Sequence, residues 1–209
     1  MKVCEIFCSL QGEGVTIGAR TVFVRTSGCN LRCAWCDTLY ALEEGREMGL
    51  DEIIGEVEKF RCGRVCITGG EPLLQKDLTK LIQRLLDLRY SISVETGGSL
   101  SIELLPCDER MSVSMDVKCP SSGMHEKMNL SNLELLSPND QLKFVIADER
   151  DYEHAKEIMA MHKPIAQVVM QPVGGKDLKW LAERALKDKL EVRVLPQLHK
   201  LIWGDRRGV

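Results

Sequence analysis

Short β-branched runs alternate with amphipathic stretches of helical period along most of this chain, and that alternation constrains its fold more than any other feature. Runs with strand character occupy 3–8, 21–26, 64–68, 91–95, 112–117, 141–146, 167–170 and 191–195. Residues 50–60 place Leu50, Ile53, Ile54 and Val57 on one helical face, and 78–88 do the same with Leu78, Leu81, Ile82, Leu85 and Leu86. Two further helices are expected over 151–161 and 177–186. Strand, helix and strand at this spacing mean right-handed βαβ units, and so an α/β fold with a mostly parallel sheet. Several helices are missing from the pattern, so a partial (β/α) barrel is expected rather than a closed one. No repeat or linker interrupts the 209 residues. A single domain over 1–209 is expected, and a chain of this size buries roughly 70% of its unfolded surface without disulfides.

In parallel α/β folds the chemistry gathers at the carboxyl ends of the strands. Every unusual polar or glycine-rich segment of this chain falls there. Cys29 to Cys36 follow the 21–26 strand, and Gly69-Gly70-Glu71-Pro72 follow the 64–68 strand. Glu95-Thr96-Gly97-Gly98, Asp116-Val117-Lys118 and Gln171-Pro172 close three later strands. Composition narrows the partners. With 28 basic against 31 acidic residues the net charge is −3, which argues against nucleic acid as the main partner. No run of apolar residues is long enough to span a membrane. Charges at Lys2, Glu5, Glu13, Arg20 and Arg25 leave no secretory apolar core. Nine cysteines on such a chain imply a reducing, cytoplasmic setting with free or metal-bound thiols.

Cys29, Cys33 and Cys36 put three thiols within one short loop. Such a loop wraps one face of a [4Fe-4S] cubane with each sulfur on its own iron. A structural metal site takes four protein ligands, whereas a catalytic one keeps a position open. Three ligands therefore point to an iron left free for a small molecule. The plainer alternative is a non-catalytic iron–sulfur or zinc protein, with a fourth ligand drawn from the other six cysteines. Cys4 and Cys8 on one strand, and Cys62 and Cys66 flanking another, read as small buried residues; Cys107 and Cys119 are isolated.

The C-x3-C-x2-C triplet with Trp35 before its last cysteine, joined to Thr68-Gly69-Gly70-Glu71-Pro72 one strand later, resembles the signature of the radical S-adenosylmethionine (SAM) superfamily. The resemblance implies one [4Fe-4S] cluster per chain and bound SAM. It assigns SAM contacts to Trp35, Cys36, Asp37, Gly70, Glu71, Glu95, Asp116, Val117, Lys118 and Gln171. Glycines allow close backbone approach, and Glu71 is expected to accept hydrogen bonds from the cofactor's ammonium group.

Within that superfamily, Ser9 to Gly14, Arg25, Cys36-Asp37-Thr38, Glu95 to Gly98 and the closing Gln197 to Gly204 resemble the 7-carboxy-7-deazaguanine synthase family from the first strand to the C-terminus. That resemblance implies radical ring contraction of 6-carboxy-5,6,7,8-tetrahydropterin with loss of ammonia, on the route to deazaguanine nucleosides of tRNA. It also implies Mg²⁺, recycled SAM, a homodimer, and an electron donor such as flavodoxin or ferredoxin. Leu10, Gln11, Gly12, Glu13, Arg25 and Thr68 are the substrate residues it suggests. Backbone groups of the 10–12 turn suit the polar edge of a pterin, Glu13 suits its guanidine-like N–H groups, and Arg25 offers a planar fork for a carboxylate. Thr38 is assigned to Mg²⁺ by the resemblance alone. Some relatives use their terminal carboxylate near the substrate, and the extension from Trp203 to Val209 puts that role in doubt here. A glycyl-radical enzyme activase shares the cysteines but carries a different segment where this chain has Gln11 to Gly14.

Overall fold

The structure, a computed structural model, describes residues 1–209. In chain order its elements are β1 (Lys2–Leu10), β2 (Arg20–Thr26), β3 (Arg46–Glu47), α1 (Leu50–Lys59), β4 (Arg64–Gly69), α2 (Leu78–Asp87) and β5 (Ser91–Thr96). They continue with β6 (Met111–Val117), β7 (Gln141–Ile146), α3 (Glu149–His162), β8 (Gln167–Pro172), α4 (Leu178–Lys187), β9 (Arg193–Val194) and α5 (Leu198–Trp203). All nine strands form one sheet in the order β3-β1-β2-β4-β5-β6-β7-β8-β9. Its edges do not meet, so the barrel is open. From β2 onward every pairing is parallel.

The first strands depart from the parallel pattern: β1 runs antiparallel to β2, and β3 antiparallel to β1. The cause is length, because residues 11–19 are fewer than the dozen or so that a parallel crossover requires. The last strand is shorter than expected, two residues instead of 191–195. The six-residue α5 was not foreseen, since it is too short to show a helical period. No helix is long and apolar enough to cross a membrane.

The sheet has two chemically different faces. Val22, Val24, Val65, Ile67, Ile92, Val94, Leu142 and Phe144 face outward into one core with Ile53, Ile54 and Val57 of α1, Leu81, Ile82, Leu85 and Leu86 of α2, and Tyr152, Ala155 and Ile158 of α3. The alternate positions face the lumen. Strands buried on both sides of a parallel sheet usually read as continuous apolar runs. Here β5 (SISVET) and β6 (MSVSMDV) alternate instead, because one of their faces lines a polar cavity. Strand register then sets Arg25 beside Thr68, Glu95 beside Ser114, and Asp116 beside Lys143.

Of the four cysteines expected to be buried, Cys66 is, whereas Cys4, Cys8 and Cys62 are only half-buried; of the two isolated ones, Cys119 is buried and Cys107 exposed. The first β-hairpin forms one margin of the sheet, so its outer face is covered less completely than that of the central strands.

Candidate active site

A cavity of about 380 Å³ opens at the carboxyl ends of the strands. The cluster loop forms one wall. Gly28 N–H donates to Ala41 at 2.8 Å, Ala34 N–H to Ser122 at 3.0 Å, and Cys36 N–H to Cys33 at 3.2 Å, which folds residues 28–36 into a tight bowl. Cys29, Cys33 and Cys36 all line the cavity and carry free thiols. Burial pushes the Cys29 and Cys33 thiols above the ordinary cysteine value, so cluster loading must release their protons.

The glycines of the following strand are required by this loop. A Cβ at Gly70 would stand 2.1 Å from the Gly28 carbonyl oxygen and 2.9 Å from Cys29 Cβ. Gly69, at φ +141°, would place one 2.2 Å from the Thr26 oxygen. Backbone therefore packs on backbone where the cluster loop meets β4, and Glu71 N–H closes the contact on Gly28 at 2.8 Å.

The rest of the wall is polar and mostly paired. Arg25 donates from Nε to Glu5 at 2.8 Å and lies between the Phe7 and Tyr40 rings, which leaves the two terminal nitrogens of its fork for the cavity. Glu95 accepts from Gln11 at 3.1 Å and from Thr68 at 2.9 Å. Glu13 accepts from Lys143 at 2.6 Å and from Gln197 at 2.7 Å. Asp116 pairs with Lys118 at 2.6 Å and with Lys143 at 3.0 Å. Gln171 is different: it is fully buried, and neither its amide oxygen nor its nitrogen has a partner. An orphaned amide facing the cavity is a feature that a bound polar ligand would satisfy. No three His, Cys, Asp or Glu side chains are grouped tightly enough to close on one metal ion. Bonds of about 2.3 Å from zinc to sulfur need such a group, whereas a cubane holding each thiolate on a separate iron does not.

Electrostatics keep the Glu13 carboxylate and the Lys143 and Lys118 ammonium groups ionised. Burial alone would raise the Glu13 carboxyl, but the Lys143 ammonium, with Gln197 and His199, holds it down at about 2. Burial likewise works against the Lys143 and Lys118 ammonium groups, yet Asp116 and its neighbours raise both above the ordinary lysine value. Because the Glu13 value is depressed on folding, its contribution to stability is complete above about pH 4.5 and lost as pH falls towards about 2. Glu13→Gln is therefore expected to lower the melting temperature at pH 7, with the gap to the parent narrowing below pH 4.5. Melting curves between pH 7 and pH 3 test this, and a gap that widens on acidification contradicts it.

Comparison with known proteins places this geometry. The model of the radical SAM superfamily matches residues 23–177, the span from β2 through the cluster loop to β8. The 7-carboxy-7-deazaguanine synthase of Thermoplasma acidophilum is 40% identical over 209 residues, covering 100% of both chains. That of Koribacter versatilis is 41% identical over 228 residues, again with 100% of each covered. This chain belongs to the 7-carboxy-7-deazaguanine synthase family of the radical SAM superfamily. The crystal structure of QueE from Escherichia coli has the same fold, with a TM-score of 0.76 at 24% identity and 93% of each chain covered.

Family membership brings the [4Fe-4S] cluster and SAM with it, and it displaces both the activase and the non-catalytic metal protein as readings. Of the residues that the sequence singles out, Leu10, Gln11, Gly12, Glu13, Arg25, Trp35, Asp37, Thr38, Thr68, Gly70, Glu95, Asp116, Lys118 and Gln171 join the cysteines around the synthase-family cavity. Two do not reach it. Val117 points outward into the core, one position out of phase with Asp116. Glu71 is fully buried: its carboxylate accepts from Leu73 N–H, the Thr96 hydroxyl and Gly97 N–H, and so ties the Gly69-Gly70 turn to the end of β5. Burial raises its pKa against those hydrogen bonds.

The cavity also holds residues to which no role was given. Lys143 is one, and a lysine within a strand buried at all six positions is the signal that marks it. Tyr40, Gln197, His199 and the chain end from Gly204 to Val209 are others. His199 packs on Gly12, where a Cβ would meet its Nδ1 at 2.2 Å. The C-terminal extension, far from leaving the site, returns to it: Arg207 stacks 3.8 Å above the Tyr40 ring and pairs with Glu5 at 3.1 Å and Glu44 at 2.7 Å.

Proposed function

We propose that this chain converts 6-carboxy-5,6,7,8-tetrahydropterin into 7-carboxy-7-deazaguanine and ammonia, in the biosynthesis of the queuosine and archaeosine type of tRNA nucleosides. The observation that carries the reading is the meeting of the three cluster cysteines, the 10–13 turn and the free fork of Arg25 on one cavity, in a chain 40% identical to a named synthase over its full length. The substrate and the deazaguanine differ by the elements of ammonia and nothing else, so the reaction needs no net oxidant and SAM serves as a recycled cofactor. When bound, the cluster and SAM together supply the carbon-centred radical that removes a hydrogen atom from the substrate.

The chain's own residues bind, orient and exclude water. Cys29, Cys33 and Cys36 hold the cluster. Trp35, Cys36, Asp37, Gly70, Glu95, Asp116, Lys118 and Gln171 receive SAM, with Glu71 and Val117 setting the backbone on which those contacts stand. The 10–12 turn, Glu13 and Thr68 take the polar edge of the pterin, and Arg25 takes its carboxylate by two parallel N–H donors. Segments from Phe7 to Val209 line this one cavity, which supports treating residues 1–209 as one functional domain. Small one-electron carriers of the flavodoxin or ferredoxin class are the reductants we assign. A homodimer is the assembly we assign, on the family resemblance. The free thiols of all nine cysteines suit a cytoplasmic setting.

The test is an anaerobic assay with reductant, SAM, Mg²⁺ and 6-carboxytetrahydropterin, read by mass for the deazaguanine. Deuterium from labelled substrate is expected at the 5′ position of recovered SAM, with many products per SAM consumed. Strict one-to-one release of 5′-deoxyadenosine would overturn the recycling.

Thr38 supports a Mg²⁺ site beside the cluster loop. Its hydroxyl reaches the cavity wall and donates to Asp37 at 3.0 Å, so its lone pairs remain available to a hard cation. Mg²⁺ keeps several waters and takes one or two protein oxygens, which a lone hydroxyl satisfies when the substrate carboxylate completes the shell. Thr38→Val is expected to lower kcat/KM roughly ten- to a hundredfold with iron content unchanged, from an interaction of about 1.5–3 kcal/mol. Thr38→Ser is expected to retain most Mg²⁺ stimulation. A Val variant that still responds to Mg²⁺ as the parent does would show the assignment wrong.

A further inference from the structure

Lys143 stands at the middle of the cavity wall without any of the roles assigned above. It projects from β7 on the lumen face, flanked by Gln141 and Val145, and its side chain is 6% exposed. Desolvating an ammonium group and ordering its long side chain are unfavourable, so a lysine persists in such a place only where its partners are well fixed. Its partners come from two different walls. The ammonium lies 2.6 Å from one Glu13 oxygen, on the loop after β1, and 3.0 Å from one Asp116 oxygen, at the end of β6.

The contacts continue in both directions. The second Glu13 oxygen accepts from Gln197, just before α5, and the second Asp116 oxygen accepts from Lys118. The Lys118 ammonium in turn sits 5.5 Å from the centre of the Trp35 ring in the cluster loop. A continuous chain of charged and polar groups thus runs across the cavity from the C-terminal segment to the cluster loop. Lys143 joins its two halves.

We propose that Lys143 is a positioning residue that makes binding of the pterin and binding of SAM mutually dependent, because one ammonium holds both Glu13 and Asp116. The inference rests on the functional reading above, in which Glu13 faces the pterin and Asp116 faces SAM. A ligand that orders either carboxylate fixes the ammonium, and the second ligand then meets a partner already in place. Such coupling is reciprocal: each ligand raises the affinity for the other by the same factor. A lysine that served only to neutralise two buried acids would act otherwise. Its loss would weaken stability and both affinities but leave that factor untouched.

The experiment measures SAM dissociation constants on the anaerobically reconstituted, oxidised enzyme, with and without 6-carboxytetrahydropterin, in the absence of reductant so that no turnover occurs. The parent is expected to bind SAM about tenfold more tightly with the pterin present, within the usual range of coupling between sites. In Lys143→Met the factor is expected to fall to within about twofold of one while iron remains at about four per chain. Lys143→Arg keeps the charge and should restore most of the coupling. Lys143→Met/Asp116→Asn removes one buried charge of each sign and should lose coupling in the same way, even if the single Met variant proves too unstable to load its cluster. Coupling that persists in either Met-containing variant overturns the proposal. A parent that makes the deazaguanine yet binds the two ligands independently overturns it as well. A parent that binds no pterin overturns the functional reading instead.

Discussion

Cys33→Ala is expected to abolish turnover, lowering product formation by at least about a thousandfold, because two thiolates hold a cubane poorly and the whole reaction depends on it. Iron per chain should fall from about four, and the change that SAM makes to the reduced cluster's EPR spectrum should disappear. Cys29→Ala and Cys36→Ala should behave alike, since all three thiols face the same cavity. Cys107→Ala and Cys62→Ala provide the contrast. Cys107 is exposed, and Cys62 donates to the Arg20 carbonyl at 3.2 Å, outside the cavity. Neither should change iron content or rate. Full activity in Cys33→Ala would remove the basis of the cluster assignment.

Arg25→Met should produce the next largest effect. Its fork presents two terminal nitrogens to the cavity, and each charge-assisted hydrogen bond is worth about 1.5–3 kcal/mol. Losing two predicts a fall in kcat/KM of roughly a hundred- to ten-thousandfold, most of it in KM if the carboxylate is bound equally in ground and transition states. The fold should persist, because Glu5 keeps its contacts with Tyr40 and Arg207 when Arg25 is gone. SAM affinity measured without the pterin should change little. Arg25→Lys is expected to rescue only weakly, as a point charge cannot reproduce a planar fork. Parent-like KM for the pterin in Arg25→Met would move the carboxylate to another residue.

Contacts between residues close in sequence account for most of what could be read in advance. Three cysteines inside one short loop are held close together by the chain itself, so their grouping needs no knowledge of the fold. The rim motifs follow from a rule about strand ends, and nearly all of them arrived at the cavity. The two exceptions have local explanations that only coordinates supply. Period two sends Val117 to the outer face because Asp116 faces the lumen. Glu71 turns away because the Thr96 hydroxyl and Gly97 N–H, at the end of the neighbouring strand, donate to its carboxylate.

The sequence by itself determined the strand–helix alternation, the cluster loop and the rim that carries the chemistry. Each depends on periodicity or on spacing of a few residues. The tertiary structure alone decided the antiparallel start of the sheet, the return of α5 and the chain end to the cavity, and the charge network inside it. Lys143 meets Glu13 across 130 residues of chain, Gln197 meets Glu13 across 184, and Arg207 meets Glu5 across 202. Ion pairs of this kind have no local signature, because their strength lies in the low-dielectric space that closes only when strands far apart in sequence line one lumen.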